Sequence, residues 1–230
     1  MKPSRVVTLA IATLMLATPL AAKPAKKKDA PKTLCSFAHY PVEVGNSSEY
    51  RLSSKQKDAS GKVLQENSST YSEEIVAVEA DRYKTKTVSE GNVAESEWTC
   101  SADGVALKYG DFPDTKITAS GVTIPSTMEI GGSWTQSFTM EAPGVNQTTK
   151  TTNRVTKREE ITVPEGTFEA WRVDYDVETT IPGQEGSVIH GSQWFVTDVG
   201  VVKSMSVVSM EMDQIRSIET TIELVKHTKK

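Results

Sequence analysis

The chain has 230 residues, with 26 Lys and Arg against 30 Asp and Glu and a net charge of −4. That length suits one domain or two small ones with a sizeable core, and the acidic balance speaks against a nucleic-acid partner, because phosphate binding wants a basic face. Thr, Ser, Val and Glu are plentiful and long Ala/Leu runs are missing beyond the N-terminal segment, which favours strands over helices.

At the start, Lys2 and Arg5 precede an apolar run from Val6 to Leu16, and Pro19 and the small residues Ala21 and Ala22 follow. Charge, apolar run and small residues in that order make a secretory signal peptide, so residues 1–22 are predicted to be cleaved near Ala22 on export. A helix over Val6 to Leu16, rising ~1.5 Å per residue, is too short for a ~30 Å hydrocarbon core, so the run is a signal and not an anchor. The first cysteine, Cys35, lies too far beyond the run for lipidation. No later stretch approaches the roughly 18 apolar residues of a spanning helix, so the protein is expected not to be transmembrane. Residues 23–34, KPAKKKDAPKTL, carry five Lys and two Pro and read as a basic flexible linker. It is either a plain lead-in or an arm for anionic lipid or sugar phosphate. The folded part, residues 35–230, is expected to work in the periplasm or outside a bacterial cell.

Cys35 and Cys100 are the two cysteines of the chain. In an oxidising compartment such a pair reads as a disulfide. Free buried thiols and a redox pair are the alternatives, and the spacing is far from CxxC. Closing so long a loop contributes about 4 kcal/mol through chain entropy.

From Tyr40 onward the text is strand-like. Tyr50–Leu52, Glu74–Val78, Arg82–Val88 and Ala94–Cys100 read as strands parted by turn residues at Asp58–Gly61, Glu90–Asn92 and Ala102–Gly104. A helix over 70–80 is the competing reading of one stretch. Residues 141–153 look like a polar hairpin tip. The clearest strand is 169–181, where Trp171, Val173, Tyr175, Val177 and Ile181 alternate with Arg172, Asp174, Asp176 and Glu178. Pro182 to Gly186 supplies a turn, and Val188–Val196 returns beside it. Val201–Met210 is more continuously apolar and is expected to be buried on both faces, and Ile218–Leu224 alternates again. The fold class expected is all-β, mainly antiparallel, with long strands in a curved sheet or open barrel. Gly45 to Trp98 and Gly132 to Trp194 echo each other, each set closing on a Trp and then Asp and Gly. The echo is either chance or two pseudo-repeats over 40–109 and 129–203.

The phrase Ile161-Thr-Val-Pro-Glu-Gly-Thr-Phe168, followed by Trp194 and Val199-Gly-Val-Val-Lys203, resembles the TapB-like group of uncharacterised bacterial secreted proteins. Tyr40-Pro-Val-Glu-Val-Gly45 with Tyr50 looks like that group's opening. The resemblance runs over most of residues 40–225. It implies a barrel-like antiparallel fold in the bacterial envelope and brings no catalytic residues with it. Physically, Pro164 presets a turn that Gly166 completes, and Phe168 then enters the core.

Groups for catalysis are scarce. His39, His190 and His227 are the histidines, and none sits in a recognised catalytic or metal motif. His190 shares a strand face with Ser192 and Trp194, so an enzyme built on it needs a carboxylate or nucleophile within reach inside a cleft. Asp174 and Asp176 are paired carboxylates that read first as a solvated, ion-paired face. No catalytic, metal-binding or cofactor-binding residue is assigned, and no cofactor is expected. Trp98, Trp134, Trp171 and Trp194 all fall in strands, where they either fill the core or line a cavity for an apolar ligand. The function expected is that of a non-enzymatic exported β-domain binding an apolar small molecule, a lipid or an envelope component. The alternative is an assembly factor that docks a partner protein through a sheet edge or the basic arm.

Overall fold

The computed structural model describes residues 33–230 apart from 111–112, 184–185 and 213, so the expected signal peptide (1–22) and residues 23–32 of the linker lie outside the described residues. The strands are β1 (Ser47–Lys57), β2 (Val63–Val78), β3 (Arg82–Ser89), β4 (Asn92–Cys100), β5 (Gly104–Lys108), β6 (Lys116–Gly121), β7 (Ile124–Pro125), β8 (Ser133–Ala142), β9 (Val145–Val163), β10 (Gly166–Thr180), β11 (Ser187–Val196), β12 (Gly200–Met212) and β13 (Ile215–Thr228). Among the described residues there is no helix. All thirteen strands join one antiparallel sheet in the order β6-β8-β9-β10-β11-β12-β13-β1-β2-β3-β4-β5-β7. It is the long-stranded, curved, unclosed all-β architecture expected from the alternating pattern.

The order follows from hairpin logic. The chain starts mid-sheet at β1, meanders outward through β5, crosses to the far margin, and meanders back from β8 to β13, which pairs with β1. Turn residues do what their chemistry allows. Between β3 and β4, Glu90 and Gly91 sit at φ 50° and 81°, the two-residue hairpin geometry that Gly eases. Of the stretch 70–80, residues 70–78 are strand, as its β-branched content favours over the helical alternative, and the last two belong to the β2–β3 turn. The expected tip at 141–153 is much shorter, because the Thr-rich stretch from Val145 pairs fully with β8 and β10 and the turn narrows to two residues around Gly144.

The two margins of the sheet do not pair with each other. Instead, one short segment holds both. β6 pairs with β8 at one margin and β7 pairs with β5 at the other, and only Val122 and Thr123 separate them. The Thr123 amide donates to the Val105 carbonyl at 2.7 Å, and the rings of Tyr109 and Phe138 meet across the seam with centroids 5.3 Å apart. Pro125, which has no N–H to donate, ends β7 at the edge, where strand prolines belong.

Residues 33–46 plug the curl. Thr33 Oγ1 donates to the Glu79 carbonyl, and the Leu34 amide donates to the Ala80 carbonyl, both in the β2–β3 turn. Cys35 is disulfide-bonded to Cys100 at the end of β4. His39 Nε2 donates to the Pro125 carbonyl at 2.6 Å, and the Asp198 amide donates to the Ala38 carbonyl. One segment is thereby tied to β4, to β7 and to the β11–β12 turn. Cys35, Val42, Tyr83, Val105, Val173 and Phe195, each at most 2 % exposed, form the core beneath it. Ladder irregularities at Glu49/Tyr50, Ile75/Ala77, Arg172/Val173 and Trp194/Phe195 lie beside these residues and bend the strands around the plug.

A second, smaller core lies on the other face of the sheet, where Val163, Ala170, Trp194, Val202 and Leu224 pack together. The Glu165 amide in the β9–β10 turn donates to the Leu224 carbonyl, folding that hairpin end back onto β13. Val201–Met210 departs from the expectation of burial on both faces. Met205 and Val207 are 42 % and 38 % exposed, because their side of β12 lines an open groove beyond the reach of the second core.

Two outcomes follow. Replacing Cys35 and Cys100 by Ala, or reducing the bond, is expected to remove up to about 4 kcal/mol for a 65-residue separation, read as a shift in urea midpoint. Gly191→Ala is expected to destabilise by about 1–3 kcal/mol. A Cβ there would lie 2.2 Å from the Tyr175 ring and 2.6 Å from the Met205 carbonyl oxygen, so the ring that covers the glycine has to move.

Candidate binding site

Two concave sites sit on opposite faces of the sheet. The first is a cavity of about 230 Å³ inside the curl. Its wall alternates as strands do. On β2, Tyr71, Glu73 and Ile75 share the inward phase, and Tyr50 of β1 stands opposite Tyr71 in register. The two rings stack with centroids 5.2 Å apart. Tyr50 Oη donates to the Val201 carbonyl at 3.0 Å, fixing the ring across the sheet. Trp98 of β4 stacks on Tyr83 at 5.9 Å and satisfies its indole N–H on Thr85. Tyr40 comes from the plug and closes one end, while Phe195, Val201 and Ile222 make the apolar side.

Glu73 is the one acid on this wall. Among the described residues its carboxylate has no hydrogen-bond donor and no cation partner, and burial raises its pKa above the usual carboxylate range. Burial likewise pushes the hydroxyls of Tyr40, Tyr50 and Tyr83 up, and that of Tyr71 up to about 12, so all four are neutral at ordinary pH. A small crevice beyond Glu73 is lined by Asn46, Ser48 and His227. Ser48 Oγ lies 3.0 Å from His227 Nδ1, and burial lowers the imidazole pKa.

The second site is an open groove of about 800 Å³ on the other face, built by β9 to β12. Cross-strand register puts Asp174 between Arg154 and Ser192, and Asp176 between Thr152 and His190. Ser192 Oγ donates to Asp174 at 2.6 Å and Arg172 Nε donates to it at 2.8 Å. Burial pushes the Asp174 carboxyl up, but these hydrogen bonds outweigh it and hold the group below its usual range. The Arg172 guanidinium also lies over the Trp194 ring at 5.4 Å, and the Trp194 indole donates to Glu159.

His190 Nδ1 meets Asp176 Oδ1 at 2.5 Å, but its side chain is 71 % exposed. The Ser192 hydroxyl is engaged by Asp174 and not by His190. A histidine and a carboxylate are therefore together, without a nucleophile aimed at the ring and without exclusion of water.

The four tryptophans do not converge. Trp98 lines the inner cavity. Trp134 and Trp171 pack against the first core, with the Arg158 guanidinium 4.6 Å over the Trp171 ring. Trp194 belongs to the other face, in the groove and the second core. The tyrosines and Glu73 were not singled out from the sequence. The available signal was an acid at 73 in the phase otherwise held by Tyr71 and Ile75.

No curated protein matches the chain significantly. In structure it is similar to a candidate lipoprotein from Parabacteroides distasonis, with a TM-score of 0.52, 18 % identity, and coverage of 84 % of this chain and 99 % of that one. It also aligns with a candidate exported protein of YmcC-like fold from Bacteroides fragilis, with a TM-score of 0.46, 14 % identity, and coverage of 85 % and 100 %. Residues 40–207, from the last part of the plug into β12, match the DUF3108-like family, and the chain belongs to that family.

Proposed function

We propose that this chain is an exported, non-enzymatic β-domain that binds a small apolar molecule, or the apolar part of a larger one, inside its curled sheet. The observation that carries the reading is the cavity of about 230 Å³ between Tyr50, Tyr71, Trp98, Phe195 and Ile222, left open in a fold that otherwise packs its core. It is smaller than the roughly 300 Å³ at which drug-sized pockets begin, so the occupant is slender. Export is supported by the signal-peptide pattern of residues 1–22 and by a disulfide that an oxidising compartment maintains, which in a bacterium means the periplasm or the outside. Within the family, the Val163-Pro-Glu-Gly-Thr-Phe168 turn and the Trp194 to Lys203 stretch support a place in the TapB-like group.

Docking of a partner through a sheet edge is less well supported. Both margins end in short strands drawn from one segment, Lys116 to Pro125, which blunts them as pairing templates.

Titration of the mature protein with hexan-1-ol is expected to give a saturable change in tryptophan fluorescence, with a dissociation constant of about millimolar. The signal should vanish in Trp98→Phe. In Ser204→Phe, which fills the cavity from β12, binding should be lost while the far-ultraviolet circular dichroism stays native. A linear, unsaturable response that Ser204→Phe leaves unchanged would sink the reading.

A further inference from the structure

The cavity has a chemical bias that its apolar lining alone does not explain. Glu73 projects from β2 into a space bounded by the rings of Tyr40, Tyr50, Tyr71 and Trp98. A half-buried carboxylate with no donor and no cation is a cost to the fold, since a removed charge wants a partner. The surrounding rings sharpen the bias, because aromatic faces carry negative potential and attract cations. A neutral ligand leaves the carboxylate as it was, and an anionic one adds repulsion. A bare divalent metal ion wants six or more oxygen ligands, and the wall offers a single carboxylate. A soft organic cation satisfies both the carboxylate and the rings.

We propose that the cavity takes an alkylammonium ligand, a quaternary or protonated amine on a short apolar tail. The head lies between Glu73 and the rings of Tyr40, Tyr50 and Tyr71, and the tail runs toward Phe195, Val201 and Ile222. The assignment rests on the cavity-binding reading above and names its ligand class. Among the described residues, the titratable groups that face Glu73 are Tyr40, Tyr50, Tyr71 and Tyr83, all neutral at ordinary pH, with His227 across the adjoining crevice, its imidazole lowered by burial. The fold thus holds an acid ready to be neutralised from outside.

The test is a fluorescence titration of the mature protein with three probes of equal chain length: hexyltrimethylammonium, hexan-1-ol and hexanoate. The ammonium is expected to bind about tenfold more tightly than the alcohol, and hexanoate more weakly than either. Glu73→Gln should bring the ammonium down to the level of the alcohol. The ligand-free variant should also melt higher than the parent at pH 7. Burial raises the folded pKa of Glu73 above its unfolded value, so its contribution to stability is fully present below the unfolded pKa and is lost as pH rises through the folded one. The gain in Glu73→Gln should therefore shrink toward about pH 4, near the unfolded carboxyl value. Equal or tighter binding of hexan-1-ol or hexanoate would overturn the charge assignment and leave the cavity reading standing. Failure of all three probes would overturn both. A lower melting temperature of Glu73→Gln at pH 7 would make Glu73 a structural residue and end the proposal.

Discussion

A sheet that curls without closing its own hydrogen-bond ladder has to be held curled by something else. Here the margins β6–β8 and β5–β7 never pair, and the curl depends on two pieces of chain that reach across it. One is the Lys116–Pro125 segment, which gives β6 to one margin and β7 to the other. The second is the plug at residues 33–46, tied to β4 by Cys35–Cys100, to β7 by His39 and to the β11–β12 turn through Ala38. A fully paired barrel spreads closure over a whole ladder. In this fold closure is concentrated in a few bonds, and the main core forms directly beneath them.

That economy leaves room inside. Phe195, Val173 and Val105 are consumed by the plug, while the space between Tyr50, Tyr71 and Trp98 is not filled. On the opposite face the long strands β9 to β12 carry paired polar groups, Arg172 with Asp174 along β10 and His190 of β11 with Asp176 across the strands. The faces differ in what they leave undone. The charges named on the outer face are compensated and solvated, so they are worth little individually. Among the described residues the inner face holds one uncompensated carboxylate, Glu73, among rings, where the surroundings screen it far less.

Much of this was legible in the sequence, and the parts that were not have a common cause. Period-two alternation of Trp171, Val173 and Tyr175 against Arg172, Asp174 and Asp176 reads directly as β10, since side-chain direction in a strand is set by parity alone. The Cys35–Cys100 bond follows from compartment and count. Parity does not say which face is covered. Trp194 and Phe195, neighbours on β11, point to opposite faces and are both buried because each face carries a core, so Trp194 parts company with Trp98. The apolar look of Val201–Met210 misled for a related reason: Met205 and Val207 line an open groove that no local pattern reveals. Glu73 escaped because an acid next to Glu74 looks like ordinary strand polarity until its register with Tyr50 and Tyr71 is known.

The plug makes folding, compartment and binding one problem. Tyr40 is a wall of the cavity and lies five residues from Cys35, so the disulfide that anchors the segment also positions a ring of the site. Gly200, at φ 100° where β12 begins, lies against the same ring, and a Cβ there would come 3.4 Å from it. Reduction would loosen a segment that also holds the β2–β3 and β11–β12 turns by backbone hydrogen bonds, and with it one end of the cavity. The cytoplasm, where thiols stay reduced, would hold this chain without its anchor and with its aromatic wall incomplete. A compartment that keeps the Cys35–Cys100 bond formed therefore secures both the curl and the Tyr40 end of the cavity around Glu73.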